Sequence, residues 1–247
     1  MTFEQHAHSF GAAADAYERG RPSYPADVAA WLAPDPVERA VDVGAGTGKF
    51  TRTLLARADE VIAVEPDAAM RAQLATAIPE VRALDGSGEA MPLPDASADL
   101  VTFAQSWHWV DPDAGAREVA RVLRPGGVLG LVWNIRDESV AWTAQLGELI
   151  KRPESRVMAY ERPLAGEPFA DDEYRTFDWV HEQSRSAFLD MIASRSYVIV
   201  MEPSDRLVLL RDVEDLLDST SETAGSGTVR VPYVTHVHRF VRPPAPA

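Results

Sequence analysis

The chain of 247 residues contains no cysteine. That excludes disulfides, thiolate nucleophiles and cysteine ligation of an iron–sulfur cluster. It has no apolar run of about 20 residues, the length a helix needs to span a bilayer. Its first residues, Met-Thr-Phe-Glu-Gln-His, lack the basic and apolar regions of a secretory signal. A cytoplasmic protein without a membrane partner is expected. Positive charge is also scarce: 24 Lys and Arg stand against 38 Asp and Glu, a formal charge of −14. The arginines are scattered, and an acidic surface repels phosphate backbones, so no nucleic-acid partner is expected. There are no internal repeats or coiled-coil heptads, and nothing in the sequence fixes the oligomeric state. The length fits one large α/β domain, or one domain with an inserted cap, and buries a full core without staples.

The most informative stretch is Val41-Asp-Val-Gly-Ala-Gly-Thr-Gly-Lys-Phe50. A short β-branched run feeds three glycines at alternate positions, Gly44, Gly46 and Gly48, and a helix is expected from about Lys49 to near Asp59, with Phe50, Leu54 and Leu55 in one stripe. Strand, glycine turn and helix start bring main chain against a nucleotide-like ligand. Side chains at the three positions would block that approach, and glycine permits positive φ. The dinucleotide fingerprint G-x-G-x-x-G is missed by one residue. A P-loop fails as well, with Val43 where its first glycine belongs and Phe50 where Ser or Thr would follow Lys49.

With an acid at Asp42, this wording resembles motif I of the class I S-adenosylmethionine-dependent methyltransferases. Within that family it is similar to the ubiquinone-biosynthesis-like and trans-aconitate-like small-molecule branches. The resemblance implies an α/β fold: a Rossmann-like, doubly wound, seven-stranded, mostly parallel sheet with one antiparallel strand, in a single domain with a cap. It implies S-adenosylmethionine as cofactor and a small-molecule substrate. The missing cysteines remove two branches of that cofactor's chemistry, radical cleavage and methylation of cytosine C5 through a cysteine adduct. The whole of 1–247 is expected to be one domain. Residues 10–133 would be the cofactor-binding core, 1–30 and 134–172 a lid or substrate cap, and 173–240 the closing strands and helices.

Glu65 stands 21 residues after Gly44, at the tip of a compact strand Glu60–Val64 and before Pro66. There a carboxylate accepts hydrogen bonds from ribose hydroxyls; the alternative is a solvated strand-end glutamate. Asp67 is expected to cap a helix bearing Met70, Leu74 and Ile78 on one face. A third strand is read at Val81–Leu84. The loop Gly86-Ser-Gly-Glu-Ala90-Met-Pro is similar to the family's adenine-edging segment, with Gly88 for the usual alanine and Met91 for leucine. The resemblance assigns the adenine to Ser87, Gly88, Glu89 and Ala90. It assigns the methionine end to the main chain at Gly44, Ala45, Gly46 and Gly48, with Asp42 holding the turn or reaching the cofactor's ammonium through water.

After a strand ending near Phe103 comes Gln105-Ser-Trp-His108-Trp109-Val-Asp111, at the mouth of the expected crevice. Gln105 sits where the family's main-chain carbonyl meets the ammonium. Tryptophan faces there suit a cationic sulfonium. His108 would orient the acceptor or take its proton, the alternative being a structural histidine beside tryptophan packing. Tyr17, in a Tyr-x-x-x-Arg21-Pro segment resembling the family's lid, would also face the acceptor; the bland reading is a packing helix. Asp111-Pro112 is read as a helix start, and Leu123-Arg-Pro-Gly-Gly127 as a hinge before a fifth strand. Helices are expected at 139–152, 186–200 and 204–217, strands at 173–184 and 228–240, and an irregular cap at 153–172. His236 and His238 share a strand face but lack a nearby acid or cysteine set, so no metal site is expected. Two other functions are compatible with such a sheet: an NAD(P)-dependent oxidoreductase, against which the glycine spacing and the absent Tyr-x-x-x-Lys pair argue, and a non-catalytic cofactor-binding protein.

Overall fold

A computed structural model of the protein describes residues 22–150, 163, 165–169 and 172–244. The elements in chain order are helix α1 (Ala26–Leu32), β1 (Val37–Val43), α2 (Thr51–Leu54), β2 (Ala58–Val64), α3 (Ala68–Ala77), β3 (Arg82–Leu84) and β4 (Ala98–Ala104). A single 3-10 turn (Trp107–Trp109) precedes α4 (Pro112–Val122), β5 (Leu123–Arg136), α5 (Ala141–Leu149), β6 (Asp172–Ser184), α6 (Arg185–Ala193), α7 (Ser196–Ile199), α8 (Pro203–Ser219) and β7 (Thr228–Val241). The strands form one seven-stranded sheet in the order β3-β2-β1-β4-β5-β7-β6. The pairs β1–β2, β1–β4, β2–β3 and β4–β5 are parallel. The chain reverses in β7, where Thr235 Oγ1 donates to Asn134 Oδ1 and, just past the strand, Arg242 N–H donates to the Gly127 carbonyl. This is the doubly wound sheet with one antiparallel strand that the resemblance implies, and the order turns back at β1 and β4, where such sheets bind ligands.

By its contacts the chain divides into two compact units. One holds residues 23–134, the described part of 156–177, and 235–244. Its core sets Val28, Ala29 and Leu32 of α1 with Phe50, Leu54, Leu74 and Ile78 around Ala40, Leu100, Val128, Val132 and Val237 of the sheet. Gly130 lets α1 sit close, since a Cβ there would stand 2.8 Å from Leu32 Cδ1. Alternation turns Phe103 to the other face, where Trp107 meets it edge-on at 4.8 Å and packs on Gly115 of α4. The other unit holds residues 135–150 and 178–234. Its core joins Trp142 and Leu146 of α5, Phe188 and Met191 of α6, Val213 and Leu217 of α8, and Val229, Val231 and Tyr233 of β7.

Capping follows the sequence. Asp67 accepts from Met70 N–H at 2.9 Å and Asp111 from Ala114 N–H at 2.8 Å. Several boundaries differ, four of them as follows. The helix after the glycine turn ends at Leu54 rather than near Asp59, because Arg57 turns the chain, its guanidinium on the Ala33 carbonyl and its own carbonyl taken by Val37 N–H to open the β1–β2 ladder. The Leu123–Gly127 hinge is drawn into β5, with Gly126 at φ +81 and paired to Arg242. The expected helix 186–200 breaks after Ala193, where buried Ser194 turns its hydroxyl onto the Met191 carbonyl. The last helix starts at Pro203 rather than Ser204, with proline in its first turn. Tyr17, Arg21 and most of the 153–172 cap lie outside the described residues.

Phe188 is fully buried in the second core. Phe188→Ala should lower unfolding free energy by about 3–5 kcal/mol, read by urea denaturation followed through tryptophan fluorescence.

Candidate active site

The three glycines of the turn after β1 differ in what surrounds them. All have positive φ, +66 at Gly44, +57 at Gly46 and +89 at Gly48. A Cβ on Gly44 would stand 2.5 Å from Ser106 Cβ, and one on Gly48 would stand 2.7 Å from Ile78 Cδ1. Those two glycines therefore serve packing within the protein. A Cβ on Gly46 would meet nothing nearer than Met70 Sδ at 3.9 Å. Of the three positions reserved by the sequence for ligand approach, Gly46 alone would take a Cβ without a clash.

Two buried carboxylates hold this turn. Asp42, 1 % exposed on β1, accepts from Thr51 Oγ1 at 2.7 Å and from Thr102 Oγ1 at 3.0 Å, joining α2 and β4 to the strand. Burial pushes its carboxyl up to about 6, against the pull of the two hydroxyls. Glu65, also buried, accepts from Gly46 N–H at 2.8 Å through one oxygen and from Asp67 N–H at 2.9 Å through the other. Burial raises its carboxyl too, and those amides oppose the shift. One bond per oxygen leaves a further lone pair on each, so the carboxylate can still accept two hydroxyls. Pro66 follows it, exposed. Ala45 N–H and Gly44 N–H both bond the Val64 carbonyl, which ties the turn to the end of β2.

The loop at 86–91 is closed on itself. Ser87 and Ala90 exchange both N–H···O bonds, and Glu89 N–H reaches Ser87 Oγ. Those amides are spent inside the loop. Gly88 is glycine for lack of room, since a Cβ would stand 2.6 Å from Val110 Cγ2 and 3.0 Å from Phe103 Cε1. The Glu89 carboxylate accepts from Asp111 N–H, and Arg121 grips the Met91 and Leu93 carbonyls while paired with Glu118 and Asp95. The loop is thus fastened to α4.

At the end of β4, Gln105 adopts φ +60, a left-handed conformation costly for a residue with a Cβ. Its N–H bonds the Val132 carbonyl at 2.8 Å, and its Nε2 bonds the Asn134 carbonyl at 2.7 Å. Ser106 Oγ donates to the Val43 carbonyl at 2.7 Å. His108 is half-buried, its ring 4.9 Å from that of Trp109. Asp42, Gly44, Ala45, Gly46, Gly48, Glu65, Ser106 and Gln105 are thus gathered at the carboxyl ends of β1, β2 and β4, whereas Tyr17 is not among the described residues. Sequence reasoning passed over Thr51, Thr102 and Ser106; Thr102 alone carries a local signal, a hydroxyl inside an apolar strand. Among the described residues no cluster of His, Asp and Glu is arranged to hold a metal, and no helix is long and apolar enough to cross a membrane.

Comparison with known proteins is consistent with this geometry. Residues 41–131 match the model of a methyltransferase domain. An uncharacterized methyltransferase of Mycobacterium tuberculosis is 46% identical over 227 residues, 92% of this chain and 93% of that one. An uncharacterized methyltransferase-like protein of Schizosaccharomyces pombe is 28% identical over 93% of each. Among solved structures, a candidate type II methyltransferase from Anaeromyxobacter dehalogenans superposes with a TM-score of 0.73 at 28% identity, over 91% of this chain and 99% of that one.

The raised carboxyl of Asp42 has a signed consequence. Unfolded, it ionises above its ordinary value of 3.8; folded, it holds its proton to about 6. Folding therefore takes up a proton in that window, and rising pH removes stability across it, by up to about 3 kcal/mol. Asp42→Asn should lose this slope, so that its stability relative to the parent rises between pH 4 and pH 7 in urea unfolding. Parallel pH profiles would refute the assignment.

Proposed function

The chain belongs to the class I S-adenosylmethionine-dependent methyltransferases, and from that premise we propose that it passes the sulfonium methyl to a small-molecule acceptor by in-line displacement. The observation that carries the reading is the left-handed, open Gly46 whose amide is held by the buried Glu65 carboxylate. It gives an adenosyl amino acid a bare stretch of main chain beside a carboxylate with two lone pairs to spare. The acid is suited to the paired hydroxyls of a ribose. When bound, the cofactor supplies an activated methyl group, and the protein's part is alignment and exclusion of water.

The roles then divide by position. Gly46 admits the methionine end, with Gly44 and Gly48 keeping the turn packed beneath it. Asp42 fixes the turn through Thr51 and Thr102 and lies too deep to touch the ligand itself. Among the described residues no acceptor stands on the Gly88 amide, which leaves it the one N–H of the Ser87–Ala90 segment suited to the adenine edge. The strained backbone of Gln105 presents its peptide at the mouth of the crevice, where the cofactor's ammonium belongs. His108 and Tyr17 are assigned to the acceptor side. Residues 1–30 and 134–172 are assigned to acceptor specificity. His108 is given the role of orienting the acceptor or taking its proton; an acceptor that is already ionised needs only the first.

Incubation with methyl-labelled S-adenosylmethionine and a panel of small metabolites should yield labelled product; a persistent blank would make the chain a binding protein. Glu65→Ala should weaken S-adenosylhomocysteine binding by about 10- to 100-fold in calorimetry, the loss of two charge-assisted hydrogen bonds. Gly46→Ala and Gly44→Ala should separate binding from packing. The first should lose most of the ligand affinity at a stability cost of about 1 kcal/mol for the left-handed backbone. The second should lose more stability than that, through its clash with Ser106.

A further inference from the structure

Resting on the transfer reaction proposed above, we infer that Asn134 is a positioning residue for the amino-acid end of the cofactor, acting through the peptide of Gln105. Gln105 carries a Cβ and yet holds φ +60, a conformation that such residues keep only where their surroundings impose it. Two contacts impose it: its N–H donates to the Val132 carbonyl, and its side-chain Nε2 donates to the Asn134 carbonyl at 2.7 Å. The next residue is tethered the other way, Ser106 Oγ donating to the Val43 carbonyl at the end of β1. The loop after β4 is therefore stretched between the two strands that flank β4 in the sheet. Among the described residues no amide donates to the Gln105 carbonyl, which leaves that oxygen as an acceptor for an ammonium.

The tether on the β5 side is only as firm as Asn134 itself. Asn134 is buried, where an unmatched amide is costly, and both ends of its side chain are matched. Nδ2 donates to the Ser23 carbonyl at 2.9 Å, and Oδ1 accepts from Thr235 Oγ1 at 2.6 Å. One side chain thus binds the stretch before α1 and a residue of β7, while the main-chain carbonyl of the same residue holds Gln105. The stretch before α1 has a second hold, Tyr24 meeting Phe50 edge-on with ring centroids 5.0 Å apart. Phe50 follows the glycine turn after β1, so this stretch touches elements on both sides of β4. A leucine could fill the space of Asn134 in so apolar a strand. A matched amide does what leucine cannot: it fixes one direction for the carbonyl on which the bent-back Gln105 side chain depends.

The test sets S-adenosylhomocysteine against 5′-methylthioadenosine, which keeps the adenosine and the sulfur but has no amino-acid end, each titrated by calorimetry into the full chain. The parent should bind S-adenosylhomocysteine more tightly by about tenfold or more. Asn134→Ala should weaken S-adenosylhomocysteine by about tenfold and 5′-methylthioadenosine by less than about threefold, so that most of the preference is lost. Thr235→Val, which removes the hydroxyl and leaves Asn134 Oδ1 without it, should cut the preference by about threefold, and Thr235→Ser should restore it to within about twofold of the parent. Glu65→Ala should instead weaken both ligands alike, since both carry the ribose. If Asn134→Ala does not fold, the two Thr235 variants decide. A parent that binds the two ligands equally, or variants that weaken both equally or neither, overturn the positioning role and leave the transfer reaction standing. Failure of the parent to bind S-adenosylhomocysteine overturns the transfer reaction as well.

Discussion

The site is organised around a carboxylate removed from water. Asp42 lies under the glycine turn and receives a hydroxyl from α2 on one oxygen and a hydroxyl from β4 on the other. Three elements that the chain brings together only by folding are tied at one buried acid. Buried acids are costly when left bare, and two hydroxyl donors are what makes this one tolerable. Burial still leaves its proton-binding range about two pH units above that of a free aspartate, with the hydroxyls opposing the shift. Above this anchor the turn has little freedom, which is how a loop of glycines can present a defined surface.

The second acid works by a different logic. Glu65 is held by two amides, one of them from the turn that Asp42 supports, so the two carboxylates are linked through the backbone of Gly46. Each acid takes one hydrogen bond per oxygen, but Asp42 draws its two from side chains beneath the turn whereas Glu65 draws its two from main-chain amides at the tip of β2. Position therefore separates the acid that ties elements together from the one proposed to meet a ligand. On sequence both are only an acid at a strand end.

Much of the architecture could be read from residue order. The glycine spacing, the acid after β2, the caps at Asp67 and Asp111 and the closing antiparallel strand depend on local rules of backbone and hydrogen bonding. The helix after the turn was overextended because its fate is decided by Arg57 reaching the end of α1, a contact between segments far apart in sequence. The same blindness covers Gly44 and Gly48. On sequence all three glycines are read for the ligand alone, and the close approach of Ser106 and Ile78 to two of them is made by segments from elsewhere in the chain. The hydroxyls on Asp42 were equally hidden, since Thr102 arrives by sheet register and Thr51 by the docking of α2. Local chemistry is legible in sequence; partnership across the sheet is not.

The closeness of Gly44 to Ser106 also restricts how this chain can diverge. Two loops that belong to different strands share one small volume, filled by Ser106 with nothing left for a Cβ opposite. A descendant that enlarges position 44 must first move the β4 loop, and one that enlarges position 106 must push back the turn that carries Gly46. Drift in either loop is therefore coupled to drift in the other. Side chains on β5, β6 and β7 are outside this constraint and can change without disturbing that shared volume.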